Sequence, residues 1–303
     1  MTLPGPSIPS AVAEATDSRL LTIENLDLHL LAGEAFHTVA DAVGQLREST
    51  YRQQLSGSGD ERDLDGRDAH YDHLLLVERG TGALAGSARL QFIPAGAADL
   101  PGSEGSYLEH VYPGIKATLA KRENHLEIGR VALAERFQRQ THSLMALFRG
   151  GLLIAASSGY QLLHGLVSYN HFAHTEAVNT AFLSALLQPP YRRLGISLPA
   201  PRYPVQGVEA STTPHPSGNI QALELHIREQ LSDDFRLPVL LRQYFNLMQA
   251  EVCDLSLALD FNQITEVLMA ADLRNLPSER LALFIDLPHQ PIYQRFSWYR
   301  GGV

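Results

Sequence analysis

LEIGRVALAERFQRQTHSLMALFRGGLLIAASSGYQLLHGLVSY, residues 126–169, sets the order of elements around which the rest of the chain is built. LEIGRVAL (Leu126 to Leu133) is an apolar run with the length of a buried strand. AERFQRQ leads into a helix over about Ser143 to Ser157, which Gly159 ends. QLLHGLVSY (Gln161 to Tyr169) is a second strand. A strand–helix–strand unit of this size is predicted to be parallel and right-handed.

On the N-terminal side, His73 to Val77 and Ala83 to Ile93 flank ERGTG (Glu78 to Gly82). Two apolar runs around a glycine-containing turn predict a β-hairpin. Before it, Ser56 to Asp72 (SGSGDERDLDGRDAHYD) is a polar loop. Phe36, Val39, Ala40, Val43 and Leu46 recur at helical spacing and predict a helix over Glu34 to Leu55. Leu20 to Ile23 and Leu26 to Leu31 are short strand-like runs. Pro94 to Gly105 breaks the chain, and a short helix over Tyr107 to Ala120 follows.

On the C-terminal side, Thr175 to Leu187 is a helix stopped by Pro189 and Pro190. Ile220 to Leu231 and Pro238 to Gln249 also read as helices, and Val252 to Ala258 and Ile264 to Ala270 as strands. The remainder, to Val303, is helical or irregular and carries Trp298. A hairpin feeding a parallel pair predicts an α/β (α+β) fold: a mixed central sheet with helices on both faces around one core. The expected organisation is a flexible tail over 1–19, a domain over 20–272 and a C-terminal extension over 273–303.

The chain has 303 residues and a net charge of −9, from 24 basic and 33 acidic side chains. That balance argues against a nucleic-acid partner, whose phosphates demand basic surface. A single cysteine, Cys253, forbids an internal disulfide and reads as a buried side chain. No signal-peptide pattern and no membrane-length apolar run are visible, so a cytoplasmic protein is expected.

Five charged residues bear on chemistry: Asp72 at the hairpin entrance, Arg89 in its second strand, Glu127 and Arg130 in LEIGRVAL, and Arg47 late in the first helix. A charge inside a buried strand is costly unless paired. The structural reading is an ion-pair network joining Glu127 and Arg130 to Arg89 or Asp72. The chemical reading starts from Gly129. Glu127 and Arg130 point to opposite faces of a regular strand, but a glycine often marks a bulge. A bulge there frees a backbone N–H to polarise a carbonyl and leaves Glu127 to take a proton from an amine. His171/His174 and His70/His73 each form H-x-x-H, but neither has the spacing of a zinc helix, and no metal is expected. G-x-S-x-G, G-x-G-x-x-G and the P-loop are absent, which disfavours hydrolase, dinucleotide and NTP sites.

With these segments in order, YDHLLLVERGTGALAGSARL (Tyr71 to Leu90), LEIGRVAL and LLHGLVSY, the chain resembles the ornithine lipid N-acyltransferases. These are hemolysin-like members of the GNAT superfamily, related to N-acyl amino acid synthases and acyl-homoserine lactone synthases. LPVLLRQYFNLMQAEV (Leu237 to Val252) and DFNQITEVLM (Asp260 to Met269) resemble later motifs of the same family. The resemblance covers roughly Leu46 to Asp272. It implies transfer of a fatty acyl group from an acyl carrier protein thioester to the amine of an amino acid or similar small amine. It implies Glu127 and Arg130 as catalytic residues, and Asp72, Arg89 and Arg47 as substrate-binding residues. No tightly bound cofactor is implied; acyl-phosphopantetheine or acyl-CoA is the co-substrate.

The chain departs from the family at Tyr71, Val131, Leu166, Val167, Gln243 and Gln249, which bears on the acyl and amine pockets. ERFQRQTHSLMALFRGG has no glycine before its helix, where a coenzyme A pyrophosphate loop carries them, in keeping with a carrier-protein donor. Arg136 and Arg139 are the expected contacts to that acidic carrier, and peripheral contact with the inner membrane is a second expectation. Competing readings are a lactone-forming synthase, a CoA-dependent acetyltransferase, and an inactive acyl-carrier or lipid-binding relative.

Overall fold

A computed structural model describes residues 6–13, 17–96, 105–121, 123–192, 197–209 and 219–285. Parts of the expected tail, of the Pro94–Gly105 break and of the C-terminal extension, with Trp298, lie outside the described residues.

Eight strands form one open sheet: β1 Arg19–Ile23, β2 Leu26–Leu31, β3 Asp72–Glu78, β4 Leu84–Ile93, β5 His125–Leu133, β6 Leu162–Tyr169, β7 Glu251–Ala258 and β8 Ile264–Asp272. Their order is β1-β2-β3-β4-β5-β6-β8-β7. Every neighbouring pair is antiparallel except β5 and β6. The predicted hairpin is β3–β4 and the predicted parallel pair is β5–β6.

Ten α-helices are described: α1 Ser10–Ala13, α2 Ala40–Gln53, α3 Tyr107–Val111, α4 Ile115–Ala120, α5 Glu135–Gln138, α6 Thr141–Ser158, α7 Glu176–Leu186, α8 Ile220–Gln230, α9 Val239–Met248 and α10 Ser278–Ile285. Side-chain alternation along β3 sorts them to the two faces of the sheet. Leu74 and Leu76 join the larger core, with Leu147 and Leu152 of α6. Leu75 and Val77 join the opposite core, with Val43 and Leu46 of α2.

α6 lies tight on the sheet at Gly150, where a Cβ would run into the Leu28 side chain. Gly159 in the left-handed region (φ 74°) ends α6, as its place in the sequence predicts. Leu281, Phe284 and Ile285 of α10 are buried in the α6-side core, so the segment beyond 272 contributes to the domain interior as far as residue 285.

Two predicted helices differ in detail. The helix expected from Glu34 begins as a 3-10 helix, Gly33–Thr38, and becomes α-helical only at Ala40, after Val39 leaves helical geometry (φ −124°). The helix expected over Tyr107 to Ala120 divides at Gly114, which takes φ 88°. Among the described residues no helix is long and apolar enough to cross a membrane. Cys253 is buried in a small core beneath α3 and α4.

Candidate active site

The parallel pairing of β5 and β6 lasts three residues and stops at Glu127 opposite His164. Beyond it the strands part into a fork. Gly165 sits at the apex, where a Cβ would meet the Ile128 carbonyl oxygen at 2.7 Å. On the other side of β5, Ser87 pairs with Ala132 but Arg89 with Gly129, so β5 carries the expected bulge. The unusual backbone angle falls on Arg130 (φ 50°) rather than on Gly129. A left-handed arginine costs on the order of 1 kcal/mol, which the surrounding packing has to hold. The extra residue breaks the alternation, so Glu127 and Arg130 line one cavity despite their odd–even spacing.

The cavity measures about 390 Å³. Its walls are Glu127–Val131 of β5, Gly165–Ser168 of β6, Tyr107 and Leu108 of α3, Leu237–Leu240 and Tyr244 around α9, and Glu266 of β8. A small apolar pocket shares Ile128, Val131 and Tyr244 with it and continues along Leu74, Ala88, Leu90, Leu147, Phe148 and Gly151 under α6. The fork cavity, with charged side chains set among apolar walls, thus lies beside a second, almost wholly apolar pocket of about 30 Å³.

Glu127 corrects the expected ion-pair network. Among the described residues it makes no salt bridge with Arg89 or Arg130, and its hydrogen-bond partners are neutral donors. The Tyr71 hydroxyl donates to Oε1 at 2.5 Å, the Leu108 N–H donates to the same oxygen at 3.0 Å, and the Ser106 hydroxyl donates to Oε2 at 2.6 Å. Tyr71 in turn accepts from the Tyr107 N–H at 2.7 Å. Ser106 also caps α3, accepting from the Glu109 N–H at 3.0 Å. The carboxylate therefore pins the start of α3 against β5.

The arginines find their anions in the polar loop. Asp68 Oδ1 receives Arg47 at 2.8 Å and Arg89 at 3.0 Å; Asp65 Oδ1 receives Arg89 at 3.2 Å. Asp63 Oδ2 lies 3.3 Å from Arg130 Nε. Arg47 and Arg89 are almost wholly buried, and with Arg67 at 3.3 Å from Asp65 Oδ2 the three carboxylates face four guanidinium groups. Burial pushes the Asp68 carboxyl up, but Arg47 and Arg89 outweigh it and bring the pKa down to about 2. For Asp63 burial prevails over Arg130, and the carboxyl is raised.

His73 is driven down to about 4 by burial and then by Arg47, so it is neutral. Its Nε2 lies 2.8 Å from the Asp68 carbonyl oxygen, which can only accept, so Nε2 carries the hydrogen. Aromatic faces complete the cluster: the Arg89 guanidinium lies 4.4 Å from the Tyr71 ring centre, and that of Arg130 lies 5.4 Å from Tyr107 and 4.8 Å from Phe261.

Arg47, Arg89, Glu127 and Arg130 therefore lie in one connected region; Asp72 does not. It lies outside the cavity lining, accepts from the Gly33 N–H at 3.2 Å, and so holds the start of the 3-10 helix. Arg136 bridges to Glu78 at 2.8 Å on the surface, and Arg139 is exposed; both stand just past the end of β5. His171 faces Thr265 at 3.0 Å and His174 stacks on Tyr169.

Sequence reasoning passed over Asp63, Asp65, Asp68 and Glu266. For the aspartates the signal was D-L-D-x-x-D in a loop that precedes strands containing buried arginines. For Glu266 it was an acid in the apolar run ITEVLMA, the cue that singled out Glu127.

Residues 46–148 match the family model described as the acetyltransferase (GNAT) domain. That segment includes Arg47, the aspartate loop, the hairpin, Glu127 and Arg130. With the forked mixed sheet, it defines the architecture as a GNAT-like α/β fold. The chain is similar in structure to FeeM, an N-acyl amino acid synthase from uncultured soil microbes, at 11% identity and a TM-score of 0.44, over 87% of this chain and 98% of that one. It is also similar to MesI, a CoA-dependent acyl-homoserine lactone synthase, at 9% identity and a TM-score of 0.42, over 87% and 97% of the two chains. The loading GNATL domain of CurA from Lyngbya majuscula aligns at 14% identity and a TM-score of 0.41, over 84% and 100%. No match is found among curated protein sequences.

Proposed function

We propose that this protein is an N-acyltransferase that moves a fatty acyl group from a pantetheine thioester, delivered by an acyl carrier protein, to the amine of an amino acid or similar small molecule. The observation that supports this reading is the fork cavity, where charged side chains sit among apolar walls, with a small apolar pocket beside it under α6. A thioester carbonyl needs polar groups around it, and a fatty chain needs apolar walls beside it.

The pantetheine arm enters between the separated edges of β5 and β6, and the acyl chain runs under α6. The amine attacks the thioester carbon directly. A C–N bond forms, the C–S bond breaks, and the thiol leaves carrying a proton from the amine. Backbone N–H groups of the bulged strand near Gly129 to Val131 stabilise the oxyanion. Arg130 binds the acceptor's carboxylate. Arg47 and Arg89, ion-paired with the aspartate loop through Nη1, keep that loop and β4 in place. Glu127, fully engaged by three donors, positions α3 against β5. Arg136 and Arg139 meet the acidic carrier where the fork opens.

Mass spectrometry after incubation with dodecanoyl-carrier protein or dodecanoyl-CoA and a panel of ornithine, glycine, tyrosine and ethanolamine tests this reading. An N-dodecanoyl product is expected, with the carrier thioester the better donor. Absence of any N-acyl product, or release of methylthioadenosine when S-adenosylmethionine is supplied, overturns it.

A further inference from the structure

Resting on the acyl-transfer reading, we propose that Glu266, not Glu127, accepts the proton from the attacking amine. Glu266 is on β8, 3% exposed, and lines the fork cavity. Its Oε1 accepts from the Tyr107 hydroxyl at 3.1 Å. Its Oε2 is buried with no hydrogen-bond partner. An unpartnered buried carboxylate oxygen is costly to maintain, and such a group calls for an explanation, here a donor brought by the substrate. Both oxygens of Glu127 are already occupied, so the two carboxylates of one cavity differ in what they can still receive.

The surroundings of Glu266 favour a proton acceptor. Tyr107 and Tyr112 approach from α3 and its C-terminal cap, Asp260 from the turn between β7 and β8, and Arg130 from β5. Ser168 on β6 and Ser256 on β7 are its neutral register partners. No described cation forms an ion pair with it. Burial dominates over the Tyr107 hydrogen bond and the more distant Arg130, and lifts the carboxyl to about 7. A base poised near neutral pH combines availability with driving force.

In the step, an ammonium N–H passes its proton to Glu266 Oε2, and the freed lone pair attacks the thioester carbon. As the C–S bond breaks, a second amine proton goes to the departing sulfur. Glu266 then returns its proton to water.

The test combines carboxyl titration with a rate profile. In protein labelled with ¹³C at glutamate Cδ, one resonance absent from Glu266→Gln is expected to titrate near 7. Turnover of the wild type is expected to fall about tenfold per pH unit below that value. Glu266→Gln is expected to lose this acid limb and about 10²-fold in turnover near pH 8. Tyr107→Phe removes the hydrogen bond that holds the carboxyl down, so the acid limb is expected to move to higher pH. This second variant reads out the same group if Glu266→Gln fails to fold. A Glu266 resonance titrating in the ordinary carboxylate range, or an unchanged acid limb in Glu266→Gln, overturns the assignment and leaves the acyl-transfer reading standing. No N-acyl product from the wild type with any donor and acceptor named above sinks that reading and this one together.

Discussion

At the scale of single residues, the two buried glutamates show how the same side chain takes different tasks. Glu127 receives three donors, whereas Glu266 receives one and keeps one buried oxygen without a hydrogen-bond partner. Replacing Glu127 with Gln leaves shape intact but removes the charge those donors serve. A loss of about 1.5–3 kcal/mol is expected for such a charged hydrogen-bond set, with turnover reduced at least tenfold and carrier binding unchanged. Kinetics alongside carrier-binding measurements check this, and unchanged turnover would remove Glu127 from the site.

Asp68 carries a different burden, since it neutralises both Arg47 and Arg89. Asp68→Asn leaves buried guanidinium charge uncompensated, and a destabilisation of about 3–5 kcal/mol is expected in urea unfolding. The wild-type contribution has a defined pH sign. Because the folded pKa is depressed to about 2, the stabilisation is complete above the unfolded value near 3.8 and is lost as pH falls through that window. The Asn variant is expected to lack that acid-dependent component, and an unaltered pH slope would contradict the pairing.

At the scale of elements, the fork depends on how closely β5 and β6 approach before they part. Gly165 permits that approach against backbone, which cannot swing aside. Gly165→Ala is expected to cost about 1–3 kcal/mol and lower the melting temperature, as overpacking does. Gly151 behaves oppositely. A Cβ there meets only Ile128 Cδ1 at 3.7 Å, an ordinary contact, and Gly151 lines the small apolar pocket under α6. Gly151→Ala is expected to hold or raise stability, by up to about 1 kcal/mol from helix propensity, and to shift preference toward shorter acyl thioesters. Comparing octanoyl with hexadecanoyl thioesters checks it; an unchanged preference would place the acyl chain elsewhere.

At the scale of the whole molecule, the sheet was legible because its cues are local and periodic. The β3–β4 hairpin announces itself through ERGTG, and the strand–helix–strand unit through its apolar runs and Gly159. The bulge was legible from Gly129, a glycine inside a strand between two charged residues, although its strained angle sits on Arg130. The partners were not legible. Asp63, Asp65 and Asp68 meet Arg130 of β5, Arg89 of β4 and Arg47 of α2, and no spacing rule connects a polar loop to residues on three separate elements. Asp72, an outlying carboxylate in the sequence, serves a backbone N–H of Gly33. Glu266 lies far along the chain and enters the cavity only because β8 is inserted beside β6.

The central claim is that the parting of β5 and β6 receives an acyl-pantetheine arm. A crystal structure with a non-hydrolysable dodecanoyl-pantetheine amide tests it most directly. The arm is expected between Ile128–Val131 and Gly165–Ser168, its carbonyl in the chamber shared by Glu127 and Glu266 and its chain along Leu147 and Gly151. An analogue bound anywhere outside that fork would contradict the account.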